Sequence, residues 1–337
     1  MTGLRAATRR GVLAAASAIW LTTAAYADDA TLEAGRGYTE QFQKGSFDEL
    51  WERMSDEMKT ALQSPQSLAD VHETLAAQVG EETSVLSETS DEQGGLRIYL
   101  RTAQHENTET PVITQFALDE EDRIYGFFVR PAQDAAESRF LDYETKADLR
   151  LPFEGRWTVV WGGRTPNLNY HAVVSEQRFA SDFLIQLDGS THKGEGLVLE
   201  DYHCWDRPIL APARGAVVAA ENALPDQPIG EMDPEKPAGN HVVLDLGNDE
   251  YLFLAHLKQG SVEVKVGDTV ESGQQIGTCG NSGNTSEPHL HVHMQNTPDL
   301  TKGEGLPAFF NRYVADGEAV ERGEPQQGQV IEPADDD

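Results

Sequence analysis

Three histidines alternate with apolar residues toward the carboxyl end of this 337-residue chain, at His289, His291 and His293. Successive side chains of a β-strand point to opposite faces, so residues two apart lie side by side on one face. The apolar residues between the histidines are then free to pack in a core on the other face. Eight of the ten histidines fall between positions 171 and 293, and this crowding indicates a metal or acid–base site in a β-rich unit.

A strand of this kind supplies too few ligands for a catalytic zinc ion, which takes three protein ligands and keeps one position open. His171 and Asp182 are the best candidates for the missing ligands. His171 follows a loop rich in glycine and asparagine, and Asp182 is a charge flanked by apolar residues. A buried carboxylate needs a partner, and spacing alone leaves two choices, a metal ion or an arginine such as Arg178.

Five segments of the chain occur in an order typical of one enzyme family: His171 with Asp182, Ala211–Val218, Ala255–Leu257, Val264–Gly277 and Gly280–His291. On these segments, roughly residues 157–296 resemble the lysostaphin-like, or LytM-type, zinc metallopeptidases. The resemblance implies a mostly β domain built on an antiparallel sheet. It also implies an endopeptidase that hydrolyses peptide cross-links or stem peptides of bacterial peptidoglycan.

The resemblance also implies roles for individual residues. His171, Asp182 and His291 would bind zinc (Zn2+), and His256 and His289 would be the catalytic histidines. Hydrolysis would use a water molecule that zinc activates, without a covalent intermediate. One histidine would accept the proton of this water and the other would stabilise the oxyanion, and the sequence does not assign the two roles.

Three features depart from the family pattern. His293 stands where the family commonly has an acid, and we interpret it as a residue at the rim of the site or in support of a ligand rather than as a ligand. The gap of 11 positions between His171 and Asp182 is longer than usual, so this loop must fold back before the next strand. Two insertions, about residues 188–207 and 223–240, are rich in glycine, proline and acids and would rim the substrate groove.

Cys204 and Cys279 are the only cysteines, and both lie in the same region as the histidines. In an exported protein two thiols can pair as a disulfide, and two free thiols are the alternative. Zinc ligation by either cysteine is not expected, because the set of histidines and aspartate already suffices.

The first 27 residues have the three parts of a secretory signal peptide. Arg5, Arg9 and Arg10 occur without any acid, an uncharged run follows from position 11 to 25, and small residues around a tyrosine predict cleavage after position 27. The paired arginines also resemble a twin-arginine export signal, and an uncleaved membrane anchor is the alternative. We therefore expect a periplasmic or secreted protein with no membrane span after cleavage.

Residues 28–142 are predicted to form an α+β domain. The pattern is helical to about Asp91, and runs of period two extend from about Thr83 to Arg130. Helices followed by an antiparallel sheet define the α+β class. This segment resembles the small nuclear-transport-factor-like, or cystatin-like, cone domains.

The remaining residues are divided between the peptidase domain and a tail. Residues 143–315 are predicted to form the β-rich zinc metallopeptidase domain, with a helix expected only over Leu306 to Val314. Residues 316–337 carry eight acids and one base without periodicity, which predicts an acidic disordered tail.

The charge of the chain excludes one class of partner. With 57 acidic and 26 basic residues the formal net charge is −31, whereas binding of nucleic acid needs a basic surface. Peptidoglycan peptides are therefore the expected partner. Two other functions remain as alternatives, a non-catalytic cell-wall-binding regulator of amidases and a secreted metallopeptidase that acts on proteins.

Overall fold

The amino-terminal region combines four helices with a four-stranded sheet. A computed structural model describes residues 29–93 and 95–334, and the predicted signal peptide, residues 1–27, lies outside them. Among the described residues, no helix is long and apolar enough to cross a membrane. The helices are α1 Asp29–Lys44, α2 Phe47–Glu52, α3 Asp56–Leu62 and α4 Pro65–Val79. The strands are β1 Glu82–Gln93, β2 Leu96–His105, β3 Thr108–Leu118 and β4 Ile124–Pro131, and they pair in this order, all antiparallel.

The helices pack against one face of this sheet around their own hydrophobic core. Phe42, Leu50 and Leu68 from the helices and Tyr99 and Phe116 from the strands are all buried there. Residues of period two on the strands and of helical period on α1 and α4 thus meet in one apolar layer.

The expectation of helix as far as Asp91 is wrong, because α4 ends at Val79 and β1 begins at Glu82. Strand β1 lies at the edge of the sheet and pairs only with β2. Its two large apolar residues, Val85 and Leu86, are both exposed, so it carries no alternation of buried and exposed residues. Pairing with its neighbour, rather than side-chain pattern, makes this segment a strand.

The carboxyl-terminal region is mostly antiparallel β-structure. Its strands are β5 Trp157–Trp161, β6 Ser181–Leu184, β7 Pro208–Leu210, β8 Gly215–Glu221, β9 Asn240–Asp245, β10 Tyr251–Leu257, β11 Thr269–Val270, β12 Gln275–Thr278, β13 Leu290–Gln295, β14 Gly305–Leu306, β15 Phe310–Ala315, β16 Glu318–Gly323 and β17 Val330–Pro333. The large sheet has the order β11-β8-β9-β10-β13-β6-β5-β17-β15-β16, with β14 also paired to β13, and β7 pairs with β12 separately. Strand β13, which carries the alternating histidines, therefore lies in the middle of the sheet.

Two expectations about the end of the chain are wrong. Leu306 to Val314 contains no helix, because Leu306 ends β14 and Phe310 begins β15. The described part of the predicted tail, residues 316–334, forms β16 and β17 instead of a disordered segment. Asp316 and Gly317, with φ of 52° and 86°, make the two-residue turn that joins β15 to β16.

The described part of the acidic end, residues 316–334, is ordered because one apolar residue, Ile331, is buried in the sheet. Ile331 on β17 is fully buried and pairs with both Trp157 and Ala315. Its acids mostly face outward, and Glu324 forms an ion pair with Arg164 at 2.7 Å. The prediction of a disordered tail rested on the charge of this segment and its lack of periodicity. It took no account of the single contact that Ile331 makes with the core.

The segment that links the two regions packs on the carboxyl-terminal core. Phe140, Tyr143 and Ala147 are partly buried against it. The carboxylate of Glu250, which is fully buried, accepts hydrogen bonds from the Tyr143 hydroxyl at 2.9 Å and from the Ala147 amide at 2.9 Å. Phe140 therefore contacts the carboxyl-terminal core although we predicted it to belong to the preceding domain.

Candidate active site

The residues on either side of His291 in the sheet leave room for a metal ion. On β13, His291 pairs with Asp182 of β6 on one side and with Ala255 of β10 on the other. Asp182 places a carboxylate beside the imidazole, and the small side chain of Ala255 leaves the space above the sheet open. The predicted strand thus brings His291 and Asp182 together across 109 positions of sequence.

The long loop before Asp182 is folded back by a buried asparagine. The Asn169 side chain accepts a hydrogen bond from the backbone amide of His171 at 3.1 Å. Its amide group donates to the carbonyls of Gly163 at 3.0 Å and Ala180 at 2.8 Å, which lie on either side of the loop. His171 itself lies in a short 3-10 helix, Tyr170–Val173, and its ring points toward Asp182.

Three buried side chains converge on one point. His171 Nε2 lies 3.0 Å from Asp182 Oδ2, and His291 Nδ1 lies 2.8 Å from Asp182 Oδ1. The three ligand atoms all lie within 4.8 Å of one another, close enough for one ion to contact all three. Two imidazole nitrogens and a carboxylate oxygen are a donor set that suits catalytic zinc, so His171, Asp182 and His291 fit this ion.

Histidines, not an arginine, are the partners of Asp182. Arg178, the alternative partner, donates to the backbone carbonyls of Ala136 at 2.9 Å and Arg164 at 2.6 Å instead. Burial of Asp182 opposes ionisation, but charges on His171 and His289 and hydrogen bonds from His171 and His291 outweigh it and hold the pKa of Asp182 well below its usual value. The carboxylate is therefore ionised and available to a cation.

Two more histidines line the same site with their Nε2 atoms free to act. His256 Nδ1 lies 2.9 Å from the carbonyl of Ser282, and His289 Nδ1 lies 2.9 Å from the carbonyl of Glu287. A carbonyl only accepts, so Nδ1 of each ring carries a hydrogen, and in the neutral ring Nε2 is the nitrogen with the lone pair. The two ring centroids are 4.7 Å apart, and His289 Nε2 lies 3.8 Å from Asp182 Oδ2.

His256 reaches the site through an unusual backbone conformation. Its φ is 62°, in the left-handed region that non-glycine residues rarely adopt, at an irregularity in the pairing of β10 with β9. Its amide donates to the carbonyl of Ala238 at 3.0 Å, which holds this turn in place. Burial, and then charges on His289 and His291, keep the pKa of His256 well below its usual value, so the ring is neutral.

A turn of the glycine-rich segment supports His256. Ser282 accepts the backbone amide of Asn240 at 2.8 Å through its hydroxyl oxygen and donates to the carbonyl of Leu257 at 2.7 Å. This close contact requires glycine at position 239, where φ is 57° and a Cβ would lie 2.1 Å from the Ser282 carbonyl oxygen. The Asn-Ser-Gly-Asn run therefore acts as a scaffold for the histidine opposite it.

A pocket of about 240 Å³ opens beside the three converging residues. Pro237 and Ala238 of the second insertion line one part of it, and Tyr170 and Val174 line another. The first insertion contacts a different segment of the site. The Thr191 hydroxyl donates a hydrogen bond to the Glu287 carboxylate at 2.8 Å. Both insertions thus contact the walls of the site.

The two cysteines form a disulfide, Cys204–Cys279, which the sequence left open. It joins the first insertion to the end of β12, just before the glycine-rich segment. The backbone amide of Asp206 also donates to the carbonyl of Cys279 at 2.9 Å. The insertion is thereby attached covalently to the chain that carries His289 and His291.

Sequence reasoning left two positions open for His293 and missed several supporting residues. The structure favours support of a ligand over the rim, because His293 is 1% exposed, its Nδ1 lies 2.9 Å from His291 Nε2, and it stacks on Phe253 with ring centroids 4.4 Å apart. Asn169 and Ser282 were not identified as supports of His171 and His256, because their partners lie in other strands and loops. For Asn169 the signal was its place directly before the loop, where asparagine commonly begins a helix.

Comparison with known proteins identifies the class of domain. Residues 191–303 match the model of Peptidase family M23. Over 57 residues, 17% of this chain, the sequence is 42% identical to peptidoglycan DD-endopeptidase ShyA of Vibrio cholerae. Over 93 residues, 28% of this chain, it is 32% identical to the cell division protein DipM of Caulobacter vibrioides. The match spans only 13% of the length of either relative.

Residues 191–303 of this chain are thus similar to the M23 peptidase domain. Among solved structures, the catalytic domain of lysostaphin from Staphylococcus simulans aligns with a TM-score of 0.27 and 21% identity, over 44% of this chain and 86% of that one. The matched segment includes His256, His289 and His291 but begins after His171 and Asp182. Only the three-dimensional structure shows these last two beside the others.

Proposed function

We propose that this protein is an exported zinc metalloendopeptidase that hydrolyses peptide bonds in the cross-links or stem peptides of peptidoglycan. The observation that carries the proposal is the convergence of His171, Asp182 and His291 on one point, with the Nε2 atoms of His256 and His289 turned toward the same space. The similarity to a named peptidoglycan endopeptidase supports the choice of substrate.

The proposed reaction would use one metal ion and two histidines, His256 and His289, as possible bases. His171, Asp182 and His291 would hold a zinc ion, which when bound would supply the Lewis acidity that lowers the pKa of water and polarises the carbonyl of a peptide bond. His256 and His289 each present Nε2 to the same space, and a neutral ring there can accept a proton from the attacking water. The ring that has gained a proton can then donate a hydrogen bond to the developing oxyanion or return the proton to the leaving amine.

Backbone carbonyls keep both bases in the active tautomer. The carbonyls of Ser282 and Glu287 bind the Nδ1–H groups, and the same bonds orient each ring. Because His256 is buried and 6% exposed, it is held in place without competing water. Positioned bases of this kind contribute about 10²- to 10⁴-fold to a rate.

The proposal extends to the layout of the chain. Residues 1–27 would direct export, residues 28–142 would form a cone-like α+β domain, and residues 143–334, which include the last two strands of the large sheet, would form the catalytic domain. The separate hydrophobic clusters of the amino-terminal and carboxyl-terminal regions support a division into two domains.

Analysis of muropeptides tests the proposed function. Purified sacculi are digested with the zinc-loaded mature protein, and the soluble products are separated and identified by mass. We expect products of cross-link or stem-peptide cleavage that identify the bond, and we expect none with the His291→Ala variant. Removal of zinc with a chelator should abolish the products, and added zinc should restore them.

Two controls separate the alternatives. A glycine-rich soluble protein serves as a second substrate, and its cleavage with intact sacculi left untouched would point to a peptidase that acts on proteins. Binding to sacculi without any product from the zinc-loaded protein would contradict the proposal and favour a cell-wall-binding regulator.

A further inference from the structure

His293 lies directly behind His291, on the side away from Asp182. His291 Nδ1 faces the carboxylate at 2.8 Å, and His291 Nε2 lies 2.9 Å from His293 Nδ1. His293 is 1% exposed and stacks flat on Phe253, with an angle of 11° between the rings. The ring therefore has one orientation, with Nδ1 toward His291 and Nε2 toward the interior.

Binding of a metal at His291 dictates where the hydrogens of both rings must lie. A metal takes the lone pair of His291 Nδ1, so the hydrogen of that ring is on Nε2. His291 Nε2–H then donates to His293 Nδ1, which must present a lone pair. With its lone pair on Nδ1, the ring of His293 carries its own hydrogen on Nε2, and that hydrogen needs an acceptor.

Gln295 presents that acceptor. Its side-chain amide nitrogen donates to the carbonyls of Thr297 at 2.7 Å, Asp299 at 2.6 Å and Lys302 at 3.2 Å. Since carbonyls only accept, these contacts fix which end of the amide is nitrogen and turn Oε1 the other way. Gln295 is two residues from His293 on β13, so the two side chains lie side by side on one face.

Two buried atoms remain without a hydrogen bond, and they are complementary. Within the described part of the chain, neither His293 Nε2 nor Gln295 Oε1 has a partner within hydrogen-bonding geometry. Leaving a buried donor or acceptor without a partner is unfavourable, so a small closure that joins the two is favoured.

We infer that His293 and Gln295 are positioning residues that hold His291 in its metal-binding tautomer. With the metal bound, hydrogen bonds would run in one direction from His291 Nε2 to His293 Nδ1 and, after a small closure, from His293 Nε2 to Gln295 Oε1, whose amide nitrogen bonds to the backbone of residues 297–302. The inference rests on the proposed zinc site. It goes beyond the five site residues, because His293 stands where the resembled family commonly has an acid and here no second negative charge is added.

We call the proposed chain of hydrogen bonds from His291 through His293 to Gln295 the relay. Measurement of zinc affinity tests the relay without any assay of hydrolysis. Zinc-free protein is titrated against a chromogenic chelator, for the wild type and for His293→Leu, His293→Gln and Phe253→Leu. Loss of a hydrogen-bond partner of a ligating histidine lowers metal affinity by about 10- to 100-fold, and we expect this for His293→Leu. His293→Gln, whose carbonyl oxygen can accept from His291, should stay within about threefold of the wild type.

Phe253→Leu is the matched packing control. It removes the ring that His293 stacks on but leaves the hydrogen-bond acceptor, so zinc affinity should change less than in His293→Leu. Thermal unfolding of each zinc-free variant is measured in parallel. If affinity falls in proportion to the unfolding temperature across all three variants, the role of His293 is packing alone and the relay is wrong.

Nitrogen NMR of the zinc-loaded wild type provides a test that needs no variant. We expect the hydrogen of His291 on Nε2 and the metal on Nδ1, and the hydrogen of His293 on Nε2. The opposite assignment for either ring overturns the relay. A wild type that binds zinc and shows these tautomers but cleaves no peptidoglycan would refute the proposed function and leave the relay standing, whereas a wild type that binds no zinc refutes both.

Discussion

The two regions of the molecule bury charge in opposite ways. In the amino-terminal core, Arg101 lies between Glu82 and Glu88, and all three side chains are 14–17% exposed. Glu88 also bonds to Arg36 and to the hydroxyl of Tyr99. In the carboxyl-terminal sheet, Asp182 is 4% exposed and is surrounded by histidines rather than by arginine.

This difference distinguishes a structural network of ion pairs in the amino-terminal region from a candidate metal site in the carboxyl-terminal region. In the network each acid faces a permanent cation, so the charges are balanced within the fold. Around Asp182 the neighbours are imidazoles, none of them a permanent cation, and burial lowers the pKa of two of them, His256 and His291. An anion among imidazole nitrogens has an affinity for a cation from outside the chain.

The largest effect is expected from removing the anion of the site. Asp182→Asn should lower zinc affinity below detection and reduce hydrolysis by about 10⁴-fold, or roughly 5.5 kcal/mol in the barrier. Zinc content after dialysis and product formation from sacculi measure the two effects. Glu88→Gln, in the other region, is the control and should leave both unchanged, and a loss of zinc from that variant would contradict the comparison.

The disulfide stabilises only the region that carries the site. Cys204 and Cys279 are 75 positions apart, and closing a loop of this size lowers the entropy of the unfolded chain by the equivalent of about 4 kcal/mol. The double variant Cys204→Ser with Cys279→Ser should lose about this much in free energy of unfolding. Chemical denaturation of the mature protein measures it, and treatment with a reductant should destabilise the wild type but not the variant.

Breaking the balanced network should affect stability and not catalysis. Arg101→Met leaves Glu82 and Glu88 without their shared cation. Loss of one partner of a buried ion pair lowers the free energy of unfolding by about 3–5 kcal/mol. Since these side chains retain some exposure, we expect a loss of about 3 kcal/mol. The rate of hydrolysis per folded molecule should equal that of the wild type. A lower rate at a temperature where the variant is fully folded would show that the two regions are coupled.

The smallest effect is a dependence of stability on pH in the zinc-free protein. The pKa values of His256 and His293 are held well below the ordinary 6.5 in the folded state, mainly by burial. Below pH 6.5 the unfolded chain therefore binds more protons than the folded one, so the free energy of unfolding falls as the pH falls. Each histidine contributes about 1 kcal/mol per pH unit on average between pH 6.5 and 5.0, less near pH 6.5, where the unfolded histidine is only half protonated.

Denaturation at pH 6.5, 5.75 and 5.0 measures this slope, before most carboxylates begin to titrate. The variant His256→Asn should show an average slope smaller by about 1 kcal/mol per pH unit. Equal stability of the zinc-free wild type at all three values would mean that these histidines are not kept neutral by the fold.

Local sequence determined the features of this protein that depend only on residues close together in the chain. The alternation at His289, His291 and His293 sets one face of a strand, because the side-chain period of a strand is two. The same pattern predicted a mostly β region, and the sequence order of the five site residues pointed to a metal site. Helices α1 and α4 likewise follow from apolar residues at helical spacing.

Tertiary structure alone decided the contacts between distant segments. Asp182 takes histidines rather than Arg178 because β6 pairs with β13, and Ile331 orders an acidic end because it reaches the core beside Trp157. His293 is buried behind His291 rather than at a rim because Phe253 of the adjacent strand covers it. Each of these outcomes depends on which strands pair, and pairing energy comes from residues far apart in sequence, which local patterns do not record.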